Sequence, residues 1–353
     1  MRADASASSS ADAPTEQTEP PAATTVAGAA GASGASAGSA GTPEHADTAA
    51  TRAPDLTHTF EPITLPAAQE RSGLCQSWTL NNEQPIYVNE VVSSNEGGFH
   101  HSNWIWVNDT DYAGPDGTWP CSDRGFDQIF AGAFGGVFFA QSTQSRMDTQ
   151  AFPEGVAFEM PAHVRIIGDV HLLNARDAEI TTSLHFDVYT LKADEVRVPL
   201  QPMAFTNTAL DIAPQGETHA RMQCATPQPD FEVYYILPHF HALGERMRVD
   251  LAGGPMDGKE IFRSSGAIGE TLGKTFDPPL AVTGALGLAM TCEYRNPRDA
   301  TVLYGEGDQE MCVVLIYSTG KKAGGTAISN VSVSDEGGVH STDALCVSVG
   351  DPT

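Results

Sequence analysis

The chain has 353 residues, with 45 acidic against 19 basic side chains and a formal net charge of −26. A surface this negative repels phosphate backbones and anionic lipid, which excludes nucleic acid as an expected partner and disfavours polybasic docking on membranes. Six cysteines without a C-x-x-C pair argue against a zinc ribbon or a thioredoxin-like redox site.

In chain order, residues 1–58 are Ala, Ser, Gly, Thr and Pro with scattered acids. They offer no apolar periodicity, so they are expected to form a disordered tether, with attachment to a surface as a candidate role. From Phe60 onward, short β-rich runs alternate with Gly, Pro, Asn and Asp clusters. The runs are Asn103–Val107, Gly136–Ala140, Val164–Leu173, Ser183–Leu191, Glu232–Leu237, Met247–Leu251 and Met311–Tyr317. Long amphipathic helical patterns are absent, and the apolar stretch Ala281–Met290 reads as one buried strand, too short to span a membrane.

This texture predicts an all-β chain of antiparallel sandwiches or barrels in two domains, 59–198 and 199–353. The junction is placed within Leu191–Pro202, where Pro199 and Pro202 are expected to interrupt strand pairing. An even number of dispersed cysteines (Cys75, Cys121, Cys224, Cys292, Cys312 and Cys346) suits three disulfides and an oxidising compartment. Met1 is followed directly by a polar tract, so no secretory signal is visible. The cysteines nevertheless favour a secreted, periplasmic or cell-surface location.

Four constellations carry metal-ligand chemistry. Gly97-Gly98 precedes His100-His101, and adjacent residues on a flat strand point to opposite faces. The two imidazoles can share an ion only if the backbone twists, which the glycines permit. His171 lies in a predicted strand, with His163 and His185 as rivals; His163 shares its strand parity. His239-Phe240-His241 follows a convincing strand, and its i, i+2 spacing puts both rings on one side. Met311-Cys312 adds a thioether, a gap-filler in isolation but a soft donor favouring Cu(I) beside two imidazoles.

Together these pieces resemble the copper type II, ascorbate-dependent monooxygenase family, which includes the peptidylglycine α-hydroxylating and dopamine β-monooxygenases. The shared order is His-His, His, His-x-His, Met-Cys. The intervals are 70 positions from His101 to His171, 68 from His171 to His239 and 70 from His241 to Met311. Phe152-Pro153-Glu154-Gly155-Val156 is similar to the family's proline-glycine segment, and Gly305–Cys312 to its acidic approach to the methionine. The resemblance runs from about Leu74 to Cys346 and favours His171 over its rivals.

The resemblance implies two jelly-roll-like sandwiches facing across a solvent-filled cleft, with two coppers per chain. His100, His101 and His171 would hold one ion, and His239, His241 and Met311 the other. Ascorbate or an equivalent reductant would supply electrons, and O2 would be the co-substrate for hydroxylation of a C–H bond at the His239/His241/Met311 site. It also implies the pairings Cys75–Cys121, Cys224–Cys346 and Cys292–Cys312. The peptide-amidating branch carries polar substrate anchors where this chain has Leu237, Val313 and Leu315, so peptide amidation is not expected. The expected substrate is another small molecule; the alternative is a non-catalytic extracytoplasmic copper-binding or copper-delivery protein.

Overall fold

The computed structural model describes residues 52–264, 269–305 and 307–350. Residues 1–51 of the expected tether, and Glu306 in the acidic approach to Met311, lie outside them. The described chain is almost entirely β-strand, with one short α-helix, Gln128–Phe134, and one 3-10 turn, Cys121–Arg124. The all-β expectation holds, and the strands assemble into packed β-sheets.

Two kinds of strand build it. Leu184–Leu191 alternates, turning Leu184, Phe186 and Val188 inward while His185, Asp187 and Tyr189 remain partly exposed. Phe231–His239 is buried at every position but Glu232, because it is covered on both faces. The apolar residues form two principal cores. One gathers side chains between Phe60 and Leu200, together with Tyr234, Tyr235, Leu237, Leu315 and Tyr317. The other lies among residues of 203–344.

Within the first core, a five-stranded sheet has the order Gly117–Pro120, Gln69–Thr79, Val164–Asn174, Phe99–Asn108, Gly136–Ala140. Its central strands pack Phe99, Trp104, Val170 and Leu172 against Val88, Val91, Phe186 and Val188 of the facing sheet. The two halves of the chain are stitched together by hydroxyl-to-carbonyl bonds. Tyr317 donates to the Val137 carbonyl, Thr275 to Ala151, Thr271 to Met147 and Thr143 to Phe240. Among the described residues, every ion pair lies within one half.

Four local expectations need correction. First, ordered structure begins before residue 58: Leu56–Thr59 is a strand paired with Leu184–Leu191. Residues 54, 56, 58 and 60 alternate toward the interior, and His58 stacks on Trp78 with ring centroids 4.7 Å apart. Second, Pro199 and Pro202 do not interrupt pairing, for both lie inside strand Val198–Thr206. The Val198 N–H donates to Gly155, so position 199 faces the other edge, where pairing begins only at Gln201. Pro202 falls between the end of pairing with Val156–Met160, at Leu200, and the start of pairing with Ala323–Glu336, at Met203. Each proline occupies a place where the ladder needs no donor.

Third, Ala281–Met290 is two strand ends rather than one strand. Lys274–Val282 stops, the chain reverses through Gly284 at φ +67°, and Gly287–Asn296 begins. Fourth, Met311 and Cys312 precede their strand, which starts at Val313.

The disulfides are Cys75–Cys121, Cys224–Cys346 and Cys292–Cys312, the pairings that the resemblance implied. Three disulfides fit an oxidising, extracellular-type environment. No described helix is long and apolar enough to cross a membrane.

Candidate metal centre

His171 sits where the central strand departs from regular register on both sides. Against Gln69–Thr79, pairing jumps from Val170↔Leu74 to Leu172↔Arg71. Against Phe99–Asn108 it jumps from His171↔His101 to Leu172↔Phe99, which leaves His100 as an extra residue. This is a β-bulge, and it answers the problem of adjacent histidines: the bulged residue escapes the strict alternation of the pleat. Gly97 and Gly98 lead into it at φ +104° and +94°, and a Cβ at Gly98 would come within 2.7 Å of Ile180.

His239 is the last residue of its strand and His241 lies just beyond it. Phe240 turns the other way into the second core, packed so closely on Gly244 that a Cβ there would lie 2.3 Å from the Phe240 ring. The turn is held by Glu310, whose carboxylate accepts from the N–H groups of His241 (2.8 Å) and Leu243 (2.6 Å). Burial pushes the Glu310 carboxyl up to about 7, against the opposing pull of these backbone donors. The neighbouring Met311 is buried. Its carbonyl accepts from the Tyr294 hydroxyl at 2.7 Å, while Cys312 is bridged to Cys292. Cys292 and Tyr294 are two apart on one strand, so a single face fixes both residues of the Met-Cys pair.

The structure brings all five histidines of the sequence pattern into one buried cluster. His101 is its hub. Its ring centroid lies 5.4 Å from that of His100, 4.8 Å from His171, 4.8 Å from His239 and 5.0 Å from His241. His100 also lies 5.2 Å from His241. Ligand atoms of His101, His239 and His241 all fall within 4.8 Å of one another. This corrects the expectation of two sets facing across a solvent-filled cleft, because the rings of the two sets interleave. His163 and His185 stay outside: His163 is near Asp109, and His185 bonds Thr59 and Asp187.

Hydrogen bonds orient the rings. His241 Nδ1 lies 3.0 Å from the Gln309 carbonyl, which fixes its proton there and puts the lone pair on Nε2. The Thr143 hydroxyl donates to the Phe240 carbonyl at 2.8 Å and therefore accepts from His239 Nδ1, at 3.4 Å. His239 Nε2 and His101 Nδ1 are buried without a hydrogen-bond partner. Gln144 reaches His100 Nδ1 at 2.9 Å, and Glu70 reaches His171 Nε2 at 2.6 Å. Burial, reinforced by the neighbouring rings, lowers His100 to about 3 and holds His101 and His239 well below the ordinary imidazole range. All three are neutral near pH 7, the state in which imidazole ligates a metal.

No family model and no curated protein matches the chain. Solved structures that it resembles include three from viruses. PBCV-1 VP54, fitted into a reconstruction of the virophage Sputnik, is 8% identical over 76% of this chain and 94% of that one, with a TM-score of 0.24. The cowpea mosaic virus top component is 11% identical over 74% and 90%, at 0.31. The major capsid protein P2 of bacteriophage PM2 is 9% identical over 74% and 97%, at 0.27. All three TM-scores lie below 0.5, and these likenesses carry no argument about this chain.

Sequence reasoning missed the supporting residues Glu70, Thr143, Gln144 and Tyr294, and assigned no role to Glu310. Only Glu310 carried a signal, its place beside Met311. The others come from strands and loops that meet the histidines only after folding.

Proposed function

We propose that the chain is an extracytoplasmic copper protein of monooxygenase type. The observation that carries this reading is the pair of buried, unpartnered imidazole nitrogens, His101 Nδ1 and His239 Nε2, inside a cluster of five histidines. Buried polar atoms ordinarily find a partner, and two orphaned imidazole nitrogens within one cluster are positions that a metal would fill. His101, His239 and His241 would hold the metal, with His100 and His171 beside them and Met311 as the soft donor. Copper bound there would supply one-electron chemistry toward O2, with ascorbate or another reductant as electron source and a small-molecule C–H bond as substrate.

The chain's own residues have definable tasks. Thr143 and the Gln309 carbonyl fix the tautomers of His239 and His241, and Glu70 does the same for His171. Glu310 and the Cys292–Cys312 bridge tie the Met311 loop to the His241 turn. The surrounding cores exclude bulk water from the rings.

The test is copper bound per chain after loading and exhaustive dialysis, followed by reductant-dependent O2 consumption with product analysis. Tight copper with coupled product formation supports the proposal, and absence of tight copper overturns it. One observation favours the second reading, a copper carrier without turnover. Leu237 and Leu315, which stand where the amidating enzymes place substrate anchors, are packed into a core. Tight copper with O2 consumption yielding only peroxide would decide for the carrier.

A further inference from the structure

The geometry points to a binding site for a small organic carboxylate beside His100. A depression of about 170 Å³ opens there, with an apolar floor that includes Phe99, Leu173 and Ile180. Its lining contains two cations, Arg146 and Arg176, and no acidic residue. That is unusual in a chain with a net charge of −26.

Most other arginines among the described residues are satisfied. Arg197 is paired with Glu154, Arg246 with Glu293 and Arg295 with Glu245. The larger depression near Arg52 is lined by Asp55, Glu154 and Glu195 as well as by cations, and it neutralises itself. Arg146 and Arg176 have no ion pair and no side-chain hydrogen bond among the described residues.

Both are exposed, Arg146 against a neighbouring backbone and Arg176 on an anchored one. The Arg146 guanidinium lies over the bare backbone of Gly97, where a Cβ would come within 3.3 Å of its Nε. The Arg176 backbone is held by Asn174, which accepts from its N–H at 3.1 Å, and by Ala68, which donates to its carbonyl at 3.0 Å. A guanidinium presents a planar fork that grips the oxygens of a carboxylate in two parallel hydrogen bonds, as it does those of phosphate, and the apolar Phe99, Leu173 and Ile180 beside it favour an anion with a carbon body over a bare tetrahedral one. The small volume limits the ligand to a few heavy atoms. Gln144 lines the same depression and bonds His100, so a carboxylate seated there would lie one side chain away from the histidine cluster.

The site does not depend on the metal reading, and its test uses metal-free full-length protein. Calorimetric titration with malonate should give saturable binding of one ligand per chain. Arg146→Gln and Arg176→Gln should each weaken it about tenfold or more without lowering the melting temperature. Arg197→Gln should leave it unchanged. The proposal is overturned if malonate does not saturate, if both variants bind like wild type, or if sulfate binds as tightly as malonate.

Discussion

The two halves of the histidine cluster are held by different means. His100, His101 and His171 are placed by backbone register, through irregularities on both sides of one central strand. His239, His241 and Met311 are placed by side chains: a buried carboxylate, a tyrosine hydroxyl and a disulfide. A register-built site is rigid because many ladder bonds would have to move together. A side-chain-built site rests on a few bonds that can be removed singly.

This contrast can be broken in order of effect. Cutting Cys292–Cys312 by a double alanine change should cost about 3 kcal/mol in urea unfolding and loosen the Met311 side more than the His171 side. Amide exchange near Val313 and near Val170 would compare them. Glu310→Ala leaves the buried N–H groups of His241 and Leu243 without an acceptor, at about 2–3 kcal/mol in the same measurement. Glu70→Gln should leave stability nearly unchanged and weaken copper binding about tenfold in competition with a chelator, by releasing the His171 ring whose Nδ1 lies 2.9 Å from Nε2 of His101. Thr143→Val should cost roughly 1 kcal/mol, because it removes the bond to Phe240 while keeping side-chain shape.

The smallest effect is a pH slope. Burial raises the Asp148 carboxyl, against donors from Ser142 and Ser145, and these bonds shape the turn carrying Thr143 and Gln144. A raised native value means that the folded state binds the proton more tightly than the unfolded one. The stability contribution of Asp148 is therefore fully present below its ordinary value of 3.8, and it is lost as pH rises through the raised one. Asp148→Asn should flatten that slope in thermal melts across the acidic range.

Much of this was legible in the sequence. Period-two runs such as Leu184–Leu191 announced strands, and His239-Phe240-His241 announced a pair of neighbouring rings. The His100 bulge was not legible, because register belongs to the pairing of strands far apart in sequence. Pro199 and Pro202 misled for the same reason: whether a proline breaks a strand depends on which edge is paired at that residue. Glu70 meets His171 across 101 positions, and no local pattern encodes that meeting.

The bonds between the halves have one more consequence. Tyr317, Thr275, Thr271 and Thr143 join them through neutral hydroxyls, and the Lys322 ammonium donates to the Gly135 carbonyl, while the ion pairs among the described residues remain on either side. Dissolved salt screens charges and leaves such bonds nearly untouched. The four hydroxyl bonds of this highly acidic protein's seam are therefore nearly indifferent to ionic strength, and dissolved salt acts there on the Lys322 contact instead.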